Sequence, residues 1–367
     1  MRLTNYWWLL LWLFIAGPIL HYAFPKKIVE VDGNIETRWS WTPAIILAAP
    51  YVIWAGNRRI FGDTETYRAT FLKFTTDISK IFTFFTDGSK DPGFSVFQVL
   101  IKNVIGNNDI LFFTIIAFIQ VSLMVYIFRK YSKYYWLCIF LFVASTDYMS
   151  WMENGMRQFI AITMIFACTN WVSEKKYIKS ILVIFLASLM HQSALLMVPI
   201  IFIVQGSAWN KKTIVFLMCT LFIMFFVDQF SPIFNDLLQN TQYDDMMTNE
   251  IWTNDDGTNM VRVLVYSVPA LISLVGLKYI REVNNPLINV CVNFSIVTMA
   301  LYGLAAVSSG IYIGRLPMYT TLQGYIALPW VIEHMFDKKS SQFVNLSMIL
   351  LYIAFFYFQM EIIWELL

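Results

Sequence analysis

The side chains able to do chemistry in this sequence fall at a few places. The stretch "ENGMRQFIAI" sets Arg157 at the start of an apolar run, close after Glu153. A guanidinium stays charged under any ordinary condition and presents paired donors to a phosphate or a carboxylate. "RRIFGDTETY" supplies Arg58 and Arg59, then Asp63 and Tyr67, which share one face if a helix begins after Gly62. Arg262 and Arg315 stand alone among apolar neighbours. His191 interrupts "LASLMHQSALL", where an imidazole can act near neutral pH as general base or hydrogen-bond donor. Arginines that hold an anion and a histidine or carboxylate that takes a proton from a hydroxyl make up the chemistry these residue types allow.

Each residue also has a purely structural reading. A lone arginine snorkels to lipid headgroups or pairs with a carboxylate such as Glu153. Asp63 is a good N-cap, and His191 can satisfy backbone groups freed by a helix break. Tyr148, Trp151, Tyr243 and Trp252 border polar links, where sugar-stacking surfaces and interfacial aromatic belts look alike. At this level the alternatives stand side by side.

The elements that position these residues follow from composition. With 58% hydrophobic, 17% aromatic and only 14% charged residues over 367 positions, the chain departs from the usage of soluble domains. Apolar runs lie near residues 5–20, 40–55, 95–106, 109–128, 134–149, 156–172, 180–205, 212–228, 261–277, 287–306, 316–332 and 344–361. A helix needs about 20 residues to cross roughly 30 Å of hydrocarbon. The expected fold class is therefore all-α, a polytopic membrane bundle of about 10–12 helices forming one integral domain over 1–367. Nothing resembles a cleavage site after the first run, which is expected to stay as a helix. Cys138, Cys168, Cys219 and Cys291 all fall in apolar runs and read as packing thiols.

Orientation follows from lysine and arginine in short loops. The basic groups at Arg129–Lys133, Lys175–Lys179, Lys211–Lys212, Lys278–Arg281 and Lys338–Lys339 share one side only if residues 180–206 enter and return as two half-helices. At about 1.5 Å per residue that run is also too long for one straight crossing, and "MHQS" lies in its middle. A broken or re-entrant helix is thus expected at His191. The lone arginines then face outward, with outer segments near 56–94 and 229–260 and a short outer link around 150–156. "HYAFPKKIVEVDGNIETRWS" alternates about an Asp-Gly pair and predicts a small hairpin on the lysine-rich side. No Walker loop, dinucleotide turn, HExxH or GxSxG motif is present, and no basic aromatic surface suits nucleic acid.

In this order and spacing, "RRIFGDTETYRATF", "DPGFSVFQVLIKNV", "NGMRQFIA", "SEKKYIKS", "LASLMHQSALL" and "GRLPMYTTLQGYIALP" resemble the EpsG-like branch of the Wzy-type polysaccharide polymerases. The resemblance covers most of the chain, from about residue 40 to 332. It implies a glycosyltransferase without metal or other cofactor. Such an enzyme moves a growing glycan from undecaprenyl diphosphate onto a new lipid-linked repeat at the outer face of the bacterial inner membrane. The family's positions carry over onto Arg59, Arg157, His191 and Arg315, with Asp63 and Tyr67 from the Gly-Asp segment. Thr64 follows the aspartate where many relatives have an aromatic.

On this reading Arg157, His191 and Asp63 are the catalytic candidates, and Arg58, Arg59, Tyr67, Glu153, Arg262 and Arg315 bind substrate. The partners implied are lipid-linked donor and acceptor glycans, the bilayer and a chain-length regulator. Two rivals remain. An O-antigen ligase typically has a larger basic outer loop, whereas 229–260 is acidic. A lipid-linked oligosaccharide flippase should show internal repeats, and none is evident.

Overall fold

The computed structural model describes residues 6–31, 34–58, 61–226, 257–308, 310 and 313–364. Arg59, Tyr243 and Trp252 lie outside these, as does the acidic segment expected at 229–260 apart from residues 257–260. The described chain is all-helical except for one hairpin, and it is an all-α polytopic bundle. Two compact units group its residues: 1–167 with 186–191 and 342–367, and 168–185 with 192–341.

The first unit opens with α1 (Tyr6–Ala23), the hairpin β1 (Lys27–Val31) and β2 (Asn34–Arg38), and α2 (Trp41–Gly56). The strands pair antiparallel from Lys27 with Arg38 to Val31 with Asn34, as the alternation predicts. α3 (Thr64–Lys73), two short 3-10 turns and α4 (Pro92–Ile105) follow, then α5 (Asp109–Tyr131) and α6 (Tyr135–Ala144). A wide π turn over Tyr148–Asn154 leads into α7 (Met156–Ala167). α2 and α7 both pack along α5.

Between helices in lipid the hydrophobic effect gives little drive, so close packing and polar contacts decide. Aromatic tips provide them here. Trp12 Nε1 donates to the Leu47 carbonyl at 3.0 Å, Tyr51 Oη to that of Leu9 at 2.9 Å, and Trp136 Nε1 to that of Leu13 at 2.7 Å. Tyr135 and Tyr148 hydroxyls close the set on the carbonyls of Ala44 and Tyr51, each at 2.9 Å.

In the second unit lie α8 (Thr169–Ser173), most of α9 (Tyr177–Met190), α10 (Met197–Ile203) and α11 (Lys211–Phe225). α12 (Met260–Val275) and α13 (Leu277–Val283) meet at a bend of 67°. α14 (Pro286–Ala306) is the buried centre, contacted by α8, α11, α12 and α16 (Gly324–Met335); α15 (Met318–Thr321) and α17 (Lys338–Tyr357) complete the series, α17 joining the first unit from residue 342. Asn293 on α14 pins the link before α11, donating to the carbonyls of Val204 at 2.8 Å and Ser207 at 3.0 Å and accepting from the Trp209 N–H at 3.0 Å.

The run 180–205 is broken where expected. α9 stops at Met190, His191 is non-helical, and a 3-10 turn over Gln192–Leu196 precedes α10. Four described helices are long and apolar enough to cross a membrane, and the α12–α13 pair makes a bent fifth. Shorter apolar helices have 10–17 residues; the His191 break separates α9 from the next apolar helix, and the π turn takes up the end of the run 134–149.

The short link around 150–156 is folded into the first unit. Every residue from Ser145 to Met149 is buried, as are Trp151, Met152 and Glu153. Thr146 adopts φ +68°, which turns the chain so that α6 ends and the π turn folds inward.

Candidate functional site

Arg157 stands at the N-terminal end of α7, its side chain 37% exposed. Its Nη1 donates to Asp91 Oδ2 at 2.8 Å, and Nε donates to the Tyr67 hydroxyl at 3.3 Å. The guanidinium also lies over the rings of Tyr67, 5.7 Å away, and Phe94, 5.9 Å away. The Asp91 side chain is 2% exposed. It occupies the N-cap position of α4 ahead of Pro92, yet makes no capping bond to its own helix. Its carboxylate faces Arg157 instead.

Two elements hold these groups in place. α3 carries Tyr67, and Lys102 of α4 reaches the end of α3, where Nζ donates to the carbonyls of Phe71 at 2.9 Å, Leu72 at 2.8 Å and Phe74 at 2.9 Å. A cation on the last carbonyls of a helix complements its dipole. Beneath them Phe71, Phe94, Phe112, Phe113, Met156 and Ile160 form a buried cluster. Phe71 and Phe112 stack at 4.1 Å. Arg68 bridges α3 to Asp109, at the start of α5, at 2.6 Å.

Asp63 sits at the N-cap of α3 without a side-chain capping bond, and its N–H donates to Asn154 Oδ1 at 2.9 Å. Gly62 has φ +48°, and an added Cβ would meet Asn154 Oδ1 at 2.1 Å, so only glycine fits this close approach. The Gly-Asp turn is therefore fastened to the residue beside Glu153. Asp63 also lies within electrostatic reach of Arg157.

Arg58 and Glu153 are both buried, the one 4% and the other 0% exposed. Arg58 donates to the Met152 carbonyl at 3.1 Å, contacts Met156 Sδ and lies over the Phe113 ring at 4.2 Å. Burial lowers its affinity for the proton, and nearby Glu153 opposes that shift. Burial pushes the Glu153 carboxyl up to about 7, against the charge of Arg58 and the hydrogen bond that Tyr6 donates. Glu153 was an expected partner for Arg157; in the structure Asp91 holds that place, and Glu153 instead accepts from Tyr6.

His191 is buried, 4% exposed, and its N–H donates to the Ala187 carbonyl at 3.0 Å. The helix end that carries it docks on the start of α4: a Cβ on Gly93 would meet Leu189 Cβ at 2.7 Å and the Leu189 carbonyl oxygen at 2.9 Å. Met190 packs on the same cluster as Phe94 and Met156. α4 thus brings the neighbourhoods of His191 and Arg157 together through Asp91 and Gly93. Arg262 and Arg315 belong to the second unit, where Arg262 lies over Tyr266 at 5.5 Å and Arg315 ends the 3-10 turn Ile313–Arg315.

Asp91 is the residue sequence reasoning missed. An aspartate before a proline at a helix start reads as a cap, and only its unused capping bond reveals another partner. Among the described residues no group of three or more His, Cys, Asp or Glu is arranged to hold a metal ion.

No curated protein and no solved structure matches the chain. The family model described as EpsG family matches residues 41–362 and so includes every described residue of this site except Tyr6. With nearly its whole length matched, the chain belongs to the EpsG family and has a membrane polysaccharide-polymerase function of the glycosyltransferase type.

Proposed function

We propose that the chain is a Wzy-type polymerase that extends undecaprenyl-diphosphate-linked oligosaccharide repeats into a surface polysaccharide. It works at the outer face of the bacterial inner membrane. The acceptor's terminal hydroxyl attacks the anomeric carbon of the donor glycan. A glycosidic bond forms, the bond from that carbon to the diphosphate oxygen breaks, and undecaprenyl diphosphate leaves with the electron pair. The hydroxyl proton passes to a base.

The observation that carries this reading is a half-open guanidinium fixed on a buried carboxylate: Arg157 on Asp91, with Tyr67 alongside. Negative charge gathers on the leaving diphosphate as the bond breaks, and a preorganised cation there favours the transition state over the ground state. Arg157 keeps donors for that role while Asp91 and Tyr67 set its orientation. In this reading the guanidinium supplies the neutralising charge, so the reaction needs no metal. His191 or Asp63 accepts the proton. Arg58 and Glu153, one layer deeper, shape the segment from which Arg157 projects. Arg59, Arg262 and Arg315 are further candidates for binding the anionic substrate.

The test is a polymerisation assay on the purified chain with synthetic undecaprenyl-diphosphate repeat units, run with a chelator and resolved by gel. A ladder of lengthening glycans that survives the chelator, disappears in Arg157→Ala and weakens strongly in His191→Ala is the expected outcome. Transfer of a finished glycan to a second acceptor without a ladder would mark a ligase. Movement of labelled lipid-linked oligosaccharide across liposomes without transfer would mark a flippase.

A further inference from the structure

A furrow runs along α1 against α17, within the first unit. Its apolar part is a cavity of about 530 Å³ lined by Trp7, Trp8, Leu10, Leu11, Phe14 and Ile353. A second cavity of about 400 Å³ shares Phe14 and continues past Gly17 and Pro18 to His21, Lys133, Trp39 and Ile349. The character changes along the furrow, from hydrocarbon at one end to cations and interfacial aromatics at the other. Lys26 extends the basic end through a 2.8 Å contact between its Nζ and His21 Nε2. Trp136 is seated against Gly17, where an added Cβ would meet its Nε1 at 2.1 Å, so the wall exists because that position has no side chain.

We propose that this furrow holds one anionic phospholipid, with its phosphate between Lys133 and the His21–Lys26 pair and an acyl chain along α1. Dimensions and charge both favour a lipid. From His21 to Leu10 the helix rises about 16 Å. That is close to the depth of one leaflet of a hydrocarbon core of about 30 Å. The basic end lies on the same side of the chain as the lysine-rich hairpin, where a bilayer offers anionic headgroups. Trp39, Tyr134 and Trp136 give that end the aromatic lining typical of a headgroup boundary. The furrow is bounded by helices far apart in sequence, since Ile349 and Ile353 belong to α17. A lipid there fastens α17 to α1.

The test uses the full chain in detergent with dioleoyl-phosphatidylglycerol, dioleoyl-phosphatidylcholine or inorganic phosphate added in turn. Native mass spectrometry and thermal unfolding are the readouts. One phosphatidylglycerol should be retained in preference to phosphatidylcholine and should raise Tm. Lys133→Gln and, separately, Lys26→Gln should each weaken that retention about fivefold, the weight of one lysine near an anionic surface. Lys278→Gln, at a basic position exposed elsewhere, should leave it unchanged. Equal retention of phosphatidylcholine, equal stabilisation by inorganic phosphate, or full retention in both lysine variants would overturn the proposal.

Discussion

Asp91 and Arg157 meet at 2.8 Å across a boundary of exposure: the carboxylate is sealed away from solvent and the guanidinium is half open. Such a pair fixes direction. The buried partner cannot turn toward a ligand, so the arginine's remaining donors point away from it.

Asp91→Asn keeps the shape and removes the charge. Losing one partner of a buried pair costs about 3–5 kcal/mol. The open side of Arg157 lets solvent recover part of that, leaving about 1–2 kcal/mol. Polymerisation should fall roughly tenfold or more as Arg157 loses its orientation. Arg157→Lys should fall further despite keeping the charge, because an ammonium cannot bridge Asp91 and Tyr67 while facing a diphosphate. Kinetics on purified variants with matched circular dichroism checks both, and wild-type rates in Asp91→Asn would remove Asp91 from the machinery.

Gly93→Ala tests the contact between α4 and the His191 helix end. The new methyl meets Leu189, including its backbone oxygen, closer than van der Waals contact allows. α4 and α9 must separate by several tenths of an ångström. Activity should drop with only a modest loss of Tm, whereas Gly88→Ala, where an added methyl meets open space but φ is +80°, should cost stability with little change in rate.

Lys102→Met removes three carbonyl contacts at the end of α3 while filling nearly the same volume. At about 0.5–1.5 kcal/mol net per hydrogen bond, the loss is a few kcal/mol. A Tm decrease of several degrees in detergent, with greater protease sensitivity near residues 71–76, is the expected result; an unchanged Tm would show that the cap contributes nothing.

Glu153 gives the fold a pH dependence. Its folded carboxyl titrates near 7 against an ordinary value of 4.5, because it is buried. The folded state therefore holds the proton more tightly. The associated stability is fully present below about pH 4.5 and is lost as pH rises through 7, amounting to about 3 kcal/mol once the group is ionised. Tm should decline from pH 6 to pH 8. Glu153→Gln, which still accepts from Tyr6, should flatten that decline, and an equal slope in both proteins would place the titration elsewhere.

Much of this architecture is legible in the residues. The apolar runs locate the helices, the alternation about Asp32-Gly33 locates the hairpin strands, and excess length with a central histidine locates the break at His191. Arg157 stands out because a guanidinium in an apolar setting needs a partner. The identity of that partner does not follow from sequence distance. Glu153 is closer along the chain, but it lies on the inward-folding π turn and faces Tyr6, while Asp91 arrives from another helix. Thr146 hides the reason, since a left-handed threonine has no composition signal. The family motif marks Gly62 and Asp63, yet their purchase on Asn154 depends on a tertiary approach that spacing cannot report.

The inward-folded link at 145–154 joins parts of the first unit that are far apart in sequence. It buries two acids, Asp147 and Glu153, at the heart of the first unit. Glu153 meets Tyr6, on α1. Asp147 lies within electrostatic reach of Tyr352, on α17. The buried turn is thus a clasp, holding α1 through Glu153 and α17 through Asp147, so loosening it would release both helices at once.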